Sequence, residues 1–415
     1  MLSKMVFMVM ALSIAAFAQS VDTPEVRPFQ LGIVYPLSTN GHEAPKVANH
    51  FSANLIWGVS AGVQGFEANG FGSTVHGDVM GYQTSGFMNV VDGSVSGVQT
   101  AGFMNILDGS VHGVQTAGFM NILDGNVRGA QAAGFMNIAE QIEVLQVAGF
   151  MNISKNSVWG AQVAGFMNIT ESVLGMQVAG FMNRGGSVNG LQTSGFMNIA
   201  EAVNGTQYAG FMNIAGRVNG LQVAGFMNIA ERVEGLMVAG FLNVAESCAY
   251  PIGVINIIDD GWRTLAVSGD EQGTVGASFR SGSRTYGVIG GGYNAQEAPL
   301  QYGTHAALGL SQSLGGALSL NIEAGTAFYF EKWDADSYKD EVTQVHSLKV
   351  LFDYPLGKRF GLYAGPTLNL LQTNRSDAAD LVTSSLWDRT SDVEYGKYQK
   401  LYAGATAGIY YRLKN

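Results

Sequence analysis

Six ionisable side chains of the C-terminal third are predicted to point to the same side of their β-strands, the inside of a barrel. They are His305, Glu323, Lys349, Asp353, Arg359 and Arg412. A cluster that mixes imidazole, carboxylate and cationic groups could carry acid–base chemistry. Charges directed into a filled barrel more commonly pair with one another. We therefore interpret these groups as ion pairs, and we predict no enzymatic activity and no catalytic residue.

Metal and cofactor chemistry has little support in this sequence. The motifs H-E-x-x-H and C-x-x-C do not occur, and a single cysteine, Cys248, excludes an internal disulfide framework. The acidic segment Asp334, Asp336, Asp340 and Glu341 could attract calcium but lacks the spacing and glycine of an EF-hand. A net charge of −10 disfavours nucleic acid as a partner. We predict no metal, no cofactor and no nucleic-acid partner.

A tandem repeat dominates the middle of the chain. Gly-Phe-Met-Asn occurs ten times between Gly86 and Asn228, and Gly-Phe-Leu-Asn follows at Gly240. The phenylalanines recur every 15 or 16 residues, a period that suits one strand and a turn, or one coil of a β-solenoid. The repeat therefore predicts one small unit copied in series, with each copy packed against its neighbours.

Alternation within the repeat separates two faces, which we describe on the copy from Val218 to Ala230. One face carries Val218, Gly220, Gln222, Ala224, Phe226 and Asn228, and its slots barely vary between copies. The other carries Asn219, Leu221, Val223, Gly225, Met227 and Ile229, and its slots accept various apolar residues. Charged residues lie almost entirely in the links between copies. This pattern predicts an inward first face and a lipid-facing second face.

The C-terminal third predicts transmembrane β-strands. Leu318–Phe330, Phe360–Leu370 and Leu401–Leu413 alternate apolar with polar or small residues over lengths that span a bilayer. The links between these strands alternate between tight and long along the chain. The tight links lie near Ser281–Arg284, Leu314–Gly316 and Pro355–Lys358, and the long polar links lie at Asn294–Gln301, Glu331–Val342 and Thr373–Tyr398. Outer-membrane barrels have such short periplasmic turns and longer extracellular loops.

Two all-β architectures agree with these patterns. In the favoured one, an outer-membrane antiparallel β-barrel includes about 13 repeat strands. In the alternative, a barrel of about 10 strands carries the repeats as an inserted β-solenoid, which explains why every repeat link is short. The predicted organisation is N-terminal barrel strands over 19–62 (Phe29–Pro36 and Phe51–Gly62), repeats over 63–258, and C-terminal barrel strands over 259–415.

The N-terminus predicts export. Lys4, the apolar run Met5–Ala16 and the small-x-small site Ala16-Phe17-Ala18 form the three parts of a signal peptide, over residues 1–18. Together with the strand pattern, this predicts a mature protein in the cell outer membrane, with outer-membrane lipid as its partner.

The phrase G-x-Q-x-x-G-F-x-N, seen at Gly97–Asn105 and Gly220–Asn228, resembles the bacterial surface-repeat family of Gram-negative exported proteins. The segments Val34–Gly41 and Pro251–Thr264 are similar to the ends of such arrays, while Arg184 departs from the usual isoleucine. The resemblance implies a surface location and no activity. The predicted function is a non-enzymatic structural barrel or passive pore. The alternative is a surface protein that binds an unidentified extracellular partner through the loop Thr373–Tyr398, by residues such as Arg375, Trp387, Arg389 and Tyr395.

Overall fold

The computed structural model describes residues 24–294, 301–330, 343–380, 382, 384–390 and 397–414. The predicted signal peptide at 1–18 lies outside these ranges. The chain divides into two compact units, residues 1–115 and 116–415, which we describe separately. The fold is all-β, with repeats stacked in parallel and a separate closed barrel.

The first unit is a stack of parallel strands. Its strands are β1 (Glu25–Val34), β2 (Leu37–Ser38), β3 (Val47–Ser60), β4 (Gly62–Asn69), β5 (Gly72–Val75), β6 (Val79–Ser85), β7 (Met88–Val91), β8 (Val95–Ala101), β9 (Met104–Leu107) and β10 (Val111–Ala117), with a 3-10 helix at Gly41–Lys46. β1 pairs in parallel with β3, and β3 with β4. The prediction of barrel strands over 19–62 is therefore wrong. The polar link that suggested a barrel loop contains the 3-10 helix, and the strands on either side of it are coils of the parallel stack.

The repeats of the second unit form a parallel β-solenoid. Its strands are β11 (Met120–Leu123), β12 (Val127–Ala133), β13 (Met136–Ala148), β14 (Met151–Ala164), β15 (Met167–Ile169), β16 (Ser172–Ala179), β17 (Met182–Arg184), β18 (Ser187–Ser194), β19 (Met197–Ala209), β20 (Met212–Ala224), β21 (Met227–Ala239), β22 (Leu242–Ile252) and β23 (Ile255–Ile258). Equivalent residues align in register, so Met212 pairs with Met227 and Gly220 with Gly235. The favoured architecture, with repeats as antiparallel barrel strands, is wrong, and the solenoid of the alternative is confirmed.

Amide ladders run through the solenoid interior. Gln222 Nε2 donates to Gln207 Oε1 at 3.0 Å, and Asn228 Nδ2 donates to Asn243 Oδ1 at 3.0 Å. All four side chains are fully buried. A primary amide both donates and accepts, so a column of identical amides satisfies itself from coil to coil. The predicted inward positions of Gln222 and Asn228 are confirmed.

Phe226 departs from its predicted inward position. A bend at Gly225–Phe226 separates the two strands of each coil and breaks the alternation, so the ring points outward at the corner. Phe226 stacks on Phe211 with centroids 5.0 Å apart and planes 5° from parallel. The phenylalanines therefore form an external stacked column, and they do not contribute to the interior.

The C-terminal strands close into a barrel of eight antiparallel strands, two fewer than the alternative architecture supposed. They are β24 (Trp262–Asp270), β25 (Thr274–Gly282), β26 (Thr285–Asn294), β27 (Tyr302–Gly315), β28 (Leu318–Phe330), β29 (Thr343–Pro355), β30 (Phe360–Thr373) and β32 (Tyr398–Lys414). The short β31 (Trp387–Thr390) pairs only with β32, and an α-helix covers Ser376–Asp380. β24 pairs with β32 and closes the barrel.

Candidate functional site

The barrel lumen contains the most deeply buried ion pair of the described residues. Arg280 on β25 meets Glu323 on β28, with Nη2 3.2 Å from Oε1. The Tyr286 hydroxyl donates to the same carboxylate oxygen at 2.9 Å, and the Arg280 guanidinium lies 4.0 Å from the centre of the Tyr363 ring. Each charge of the buried pair is therefore neutralised by the other, and the cluster joins strands β25, β26, β28 and β30.

Arg280 is absent from the six ionisable residues that the sequence placed inside. It follows Ser278 on the inward parity of β25, and both side chains are buried. Many glycines and short polar residues in β25 and β26 weaken the alternation there. If Thr274–Gly282 had been assigned as a strand from the sequence, its one charged residue, Arg280, would have been placed inside the barrel as a partner for Glu323.

The other predicted residues divide between the lumen that holds Glu323 and the end of the barrel. His305 and Lys349 line the lumen, and Asp353 accepts a hydrogen bond from the Tyr410 hydroxyl at 3.0 Å. Arg359 is exposed at the end of the barrel and donates to the Tyr411 hydroxyl. The structure thus confirms inward positions for Glu323 and Asp353 and excludes one for Arg359.

Arg412 lies on the same strand as Tyr410, with its guanidinium 5.9 Å from the centre of that ring. Of the six predicted residues, the structure therefore brings His305, Glu323 and Lys349 to one small cavity and leaves Arg359 outside it.

Side chains fill the lumen. Leu351 and Tyr363 pack with Ala266 and Tyr410, and a second cluster joins Leu371 and Tyr402. The remaining cavity has a volume of about 80 Å³. This volume accommodates a few water molecules and no larger solute. An eight-stranded barrel has an interior just wide enough for its own side chains.

The rim formed by the longer links is closed by two chain segments. Ala379 of the short helix and Val382 pack against Val345 and Tyr402 at the barrel wall. In the turn after β24, Glu271 accepts hydrogen bonds from the Asn369 side chain and from the backbone N–H of Ala405, each at 3.0 Å. These contacts hold both segments over the lumen.

The outside of the barrel is apolar and exposed. On β30, the exposed Leu362, Ala364 and Leu368 alternate with the buried Tyr363 and Thr367. Large exposed apolar residues occur on all eight strands: Leu265, Val275, Ile289, Leu308, Ile322, Leu348, Leu368 and Ile409 are examples in chain order. The predicted apolar-out and polar-in alternation is confirmed. An apolar surface that surrounds a whole barrel exceeds what soluble monomers expose.

The last solenoid coil is joined to the barrel at the rim of tight turns. The Asn256 backbone N–H donates to Ser281 Oγ at 2.9 Å, and the Arg284 backbone N–H donates to the carbonyl of Ala249 at 3.1 Å. Thr285 Oγ1 donates to the carbonyl of Pro251 at 2.7 Å. Asn256 is also the last residue of the asparagine ladder, since Asn243 donates to it. The interior of the solenoid therefore ends on the barrel wall.

The candidate binding residues of the long loop lie after β30, partly outside the described residues. Arg375 pairs with Asp377 of its own loop, and Trp387 and Arg389 lie exposed on β31. Tyr395 and the acidic segment 334–341 lie outside the described residues. Cys248 is buried in the solenoid, and burial raises the pKa of its thiol to about 11. A protonated, buried thiol is a poor nucleophile.

Within the described ranges, no group of three or more His, Cys, Asp or Glu side chains is placed to hold a metal ion. None of the helices described is long and apolar enough to cross a membrane. No family model matches the chain, and comparisons with curated proteins and with solved structures find no match.

Proposed function

We propose that the protein is a non-enzymatic outer-membrane anchor, in which the eight-stranded barrel sits in the bilayer and holds the β-solenoid at its tight-turn rim. The observation that carries the proposal is the apolar exterior of the barrel, exposed on all eight strands. Strands β27–β30 each have 13 or 14 residues, enough to cross a bilayer. The signal-like N-terminus and the resemblance to exported repeat proteins support the same location.

The filled lumen favours an anchor over a passive pore. Conduction needs a continuous polar path, and here the Arg280–Glu323 pair and the surrounding tyrosines occupy the barrel axis. The junction contacts favour a structural role, since hydrogen bonds join Asn256 to Ser281, Thr285 to Pro251, and the Arg284 backbone N–H to the carbonyl of Ala249.

The proposal predicts that the protein fractionates with outer membranes and resists extraction by carbonate. Leu368→Arg places a charge on the exposed face at mid-strand and should cost roughly 2–4 kcal/mol of insertion free energy, so that much less folded protein reaches the membrane. Met227→Arg, in a solenoid slot, is the matched control and should insert like the wild type. Planar-bilayer recordings of the folded protein should show no conductance.

Recovery of the wild-type chain as a soluble protein would overturn the membrane anchor. Steady conductance of the purified barrel would replace the anchor by a pore. Equal insertion of Leu368→Arg and the wild type would show that the apolar exterior does not face lipid.

A further inference from the structure

One side of the solenoid is apolar in every coil of the second unit except the one that carries Arg184. We call it the Met–Ile face. It consists of the outward slots held by Met227 and Ile229 on β21 and by their in-register partners on β11, β13, β14, β15, β17, β19, β20, β22 and β23. These slots are half-buried. The opposite side mixes polar and apolar side chains: in one column, the exposed Asn204 and Asn219 follow the exposed Trp159 and Leu174.

The two corners beside the Met–Ile face differ in character. At one corner runs the stacked phenylalanine column, whose members Phe211, Phe226 and Phe241 are each nearly two-fifths exposed. At the other corner runs a mainly acidic column that includes Glu231 and Glu246. Lys155 interrupts this column and pairs with Asp124 and Glu140, and Arg217 and Arg232 align in the column next to it. A shallow groove of about 330 Å³ lies at this second corner over the last four coils and is lined by Ile229, Val244, Glu231 and Glu246, among others.

We propose that a second copy of this chain packs on the Met–Ile face. The two copies would be related by a two-fold axis parallel to the stacking direction of the coils, and the phenylalanine column of each would enter the groove of the other. This inference concerns the solenoid and does not depend on the location proposed for the barrel.

The Met–Ile face is large enough to form a stable dimer interface. Ten coils advance about 4.8 Å each, and a strip about 48 Å long and about 12 Å wide covers roughly 600 Å² per copy. The total of roughly 1,200 Å² reaches the lower bound of specific protein interfaces. A contiguous apolar strip of this size is larger than most soluble surfaces tolerate uncovered.

The charged column at one corner favours a parallel arrangement of the two copies. An axis parallel to the stacking direction exchanges left and right across the face, so the acidic column of one copy meets the phenylalanine column of its partner. An axis along the strands would instead place Glu231 and Glu246 against the partner's acidic column, and like charges in contact are unfavourable. The parallel arrangement also keeps both barrels at the same end of the pair.

Arg184 favours a protein partner over lipid chains. It occupies the isoleucine slot of β17, in register with Ile169 and Ile199, and its side chain is exposed on the Met–Ile face. A guanidinium in contact with lipid hydrocarbon is strongly unfavourable. Arginine is, by contrast, enriched in protein interfaces. The acidic column beside the face also disfavours an anionic lipid surface.

Cysteine pairs on the full-length protein test the arrangement. In a Cys248→Ala background, a Phe226→Cys chain co-expressed with a Glu231→Cys chain should form a disulfide-linked dimer on mild oxidation. Each variant alone should not, because the axis keeps identical columns apart. Within one chain the two positions lie at opposite corners of a coil, too far apart for a disulfide. Asn219→Cys, on the opposite side, is the control and should stay unlinked.

Mass measurement in detergent gives a second readout. The wild-type protein should be a dimer, Met227→Arg should be a monomer with an unchanged circular-dichroism spectrum, and Asn219→Arg should remain a dimer. A monomeric wild-type protein would overturn the proposal, as would self-linking of Phe226→Cys. Quenching of a fluorophore at position 227 by a lipid-phase quencher would show that lipid, and not a second copy, covers the face.

Discussion

At the scale of single residues, Glu67 is the unusual member of a buried amide column. It aligns with Gln83, whose Nε2 donates to Glu67 Oε2 at 2.7 Å, and Gln99 donates in turn to Gln83. Glu67 is fully buried, and among the described residues its Oε1 has no hydrogen-bond partner. Burial is the main cause that raises the pKa of this carboxyl. A carboxyl group therefore occupies a position that suits an amide.

The raised pKa of Glu67 makes stability depend on pH. Between the ordinary pKa and the raised one, the folded chain holds a proton that the unfolded chain has lost, so stability falls as pH rises through this range. Glu67→Gln removes the ionisable group and extends the ladder. We expect the thermal unfolding midpoint of Glu67→Gln to match that of the wild type near pH 4. At pH 8 the midpoint of the variant should be higher, by roughly 2–4 °C for each kcal/mol of desolvation cost that the substitution removes. Thermal circular dichroism from pH 4 to 8 measures the difference.

Gln99→Glu is the matched control, because it puts a second carboxyl in the same buried column and should steepen the loss of stability with pH. Parallel pH profiles for Glu67→Gln and the wild type would contradict the assignment of a buried, protonated Glu67.

At the scale of elements, the sequence predicted strands well and their pairing poorly. Alternation on β30 placed Leu362, Tyr363 and Leu368 correctly, because each barrel strand has one apolar exterior face and one packed interior face. The same alternation in the repeats also has two faces, but it does not distinguish parallel from antiparallel neighbours. Only the uniformly short links indicated a solenoid. Alternation also failed at Phe226, since a two-residue bend resets the parity.

Within the candidate site, sequence parity found Glu323 and Asp353 but not the ion-pair partner. Partner identity depends on the stagger of neighbouring strands, which brings Arg280 of β25 to Glu323 across β26 and β27. A single sequence contains no direct record of that stagger. The closure of the lumen by Ala379 and Val382 was equally inaccessible, because it depends on how a long loop folds back.

Val144 provides an element-scale prediction. It takes the slot that glycine occupies in neighbouring coils, in register with Gly129 and Gly160, and its φ is 109°. Such a conformation is strained for a β-branched residue, at a cost of roughly 1–3 kcal/mol. The side chain is 62% exposed, so its removal loses little burial. Val144→Gly should therefore stabilise the solenoid by roughly 1 kcal/mol, as measured by denaturant unfolding.

Gly175→Val is the reverse change in the same column. Gly175 has φ 134°, and a Cβ there would lie 2.1 Å from the carbonyl oxygen of Gly160. This variant should be clearly destabilised. If Val144→Gly were less stable than the wild type, the slot would not require the conformational freedom of glycine.

At the scale of the whole molecule, the second unit fixes the solenoid to one rim of the barrel. Asn256 contacts Ser281, and Ala249 accepts a hydrogen bond from the Arg284 backbone, at the tight turn between β25 and β26. Because neighbouring barrel strands run in opposite directions, this turn lies at the same rim as the links Gly315–Ala317 and Leu356–Arg359. The longer links, including the one after Thr373, lie at the opposite rim. Short turns of outer-membrane barrels are periplasmic. If the barrel is the proposed anchor, the repeats then face the periplasm, contrary to the surface location that the resemblance implies.

Labelling of single cysteines by a polyethylene-glycol maleimide too large for porins tests this orientation in cells. In a Cys248→Ala background, Arg389→Cys near the long-link rim should react in intact cells. Asn219→Cys in the solenoid should react only after the outer membrane is permeabilised. The native chain should stay unlabelled, since burial raises the pKa of the Cys248 thiol to about 11 and keeps it protonated and covered. Labelling of Asn219→Cys in intact cells, with Arg389→Cys protected, would place the repeats on the cell surface and reverse the barrel.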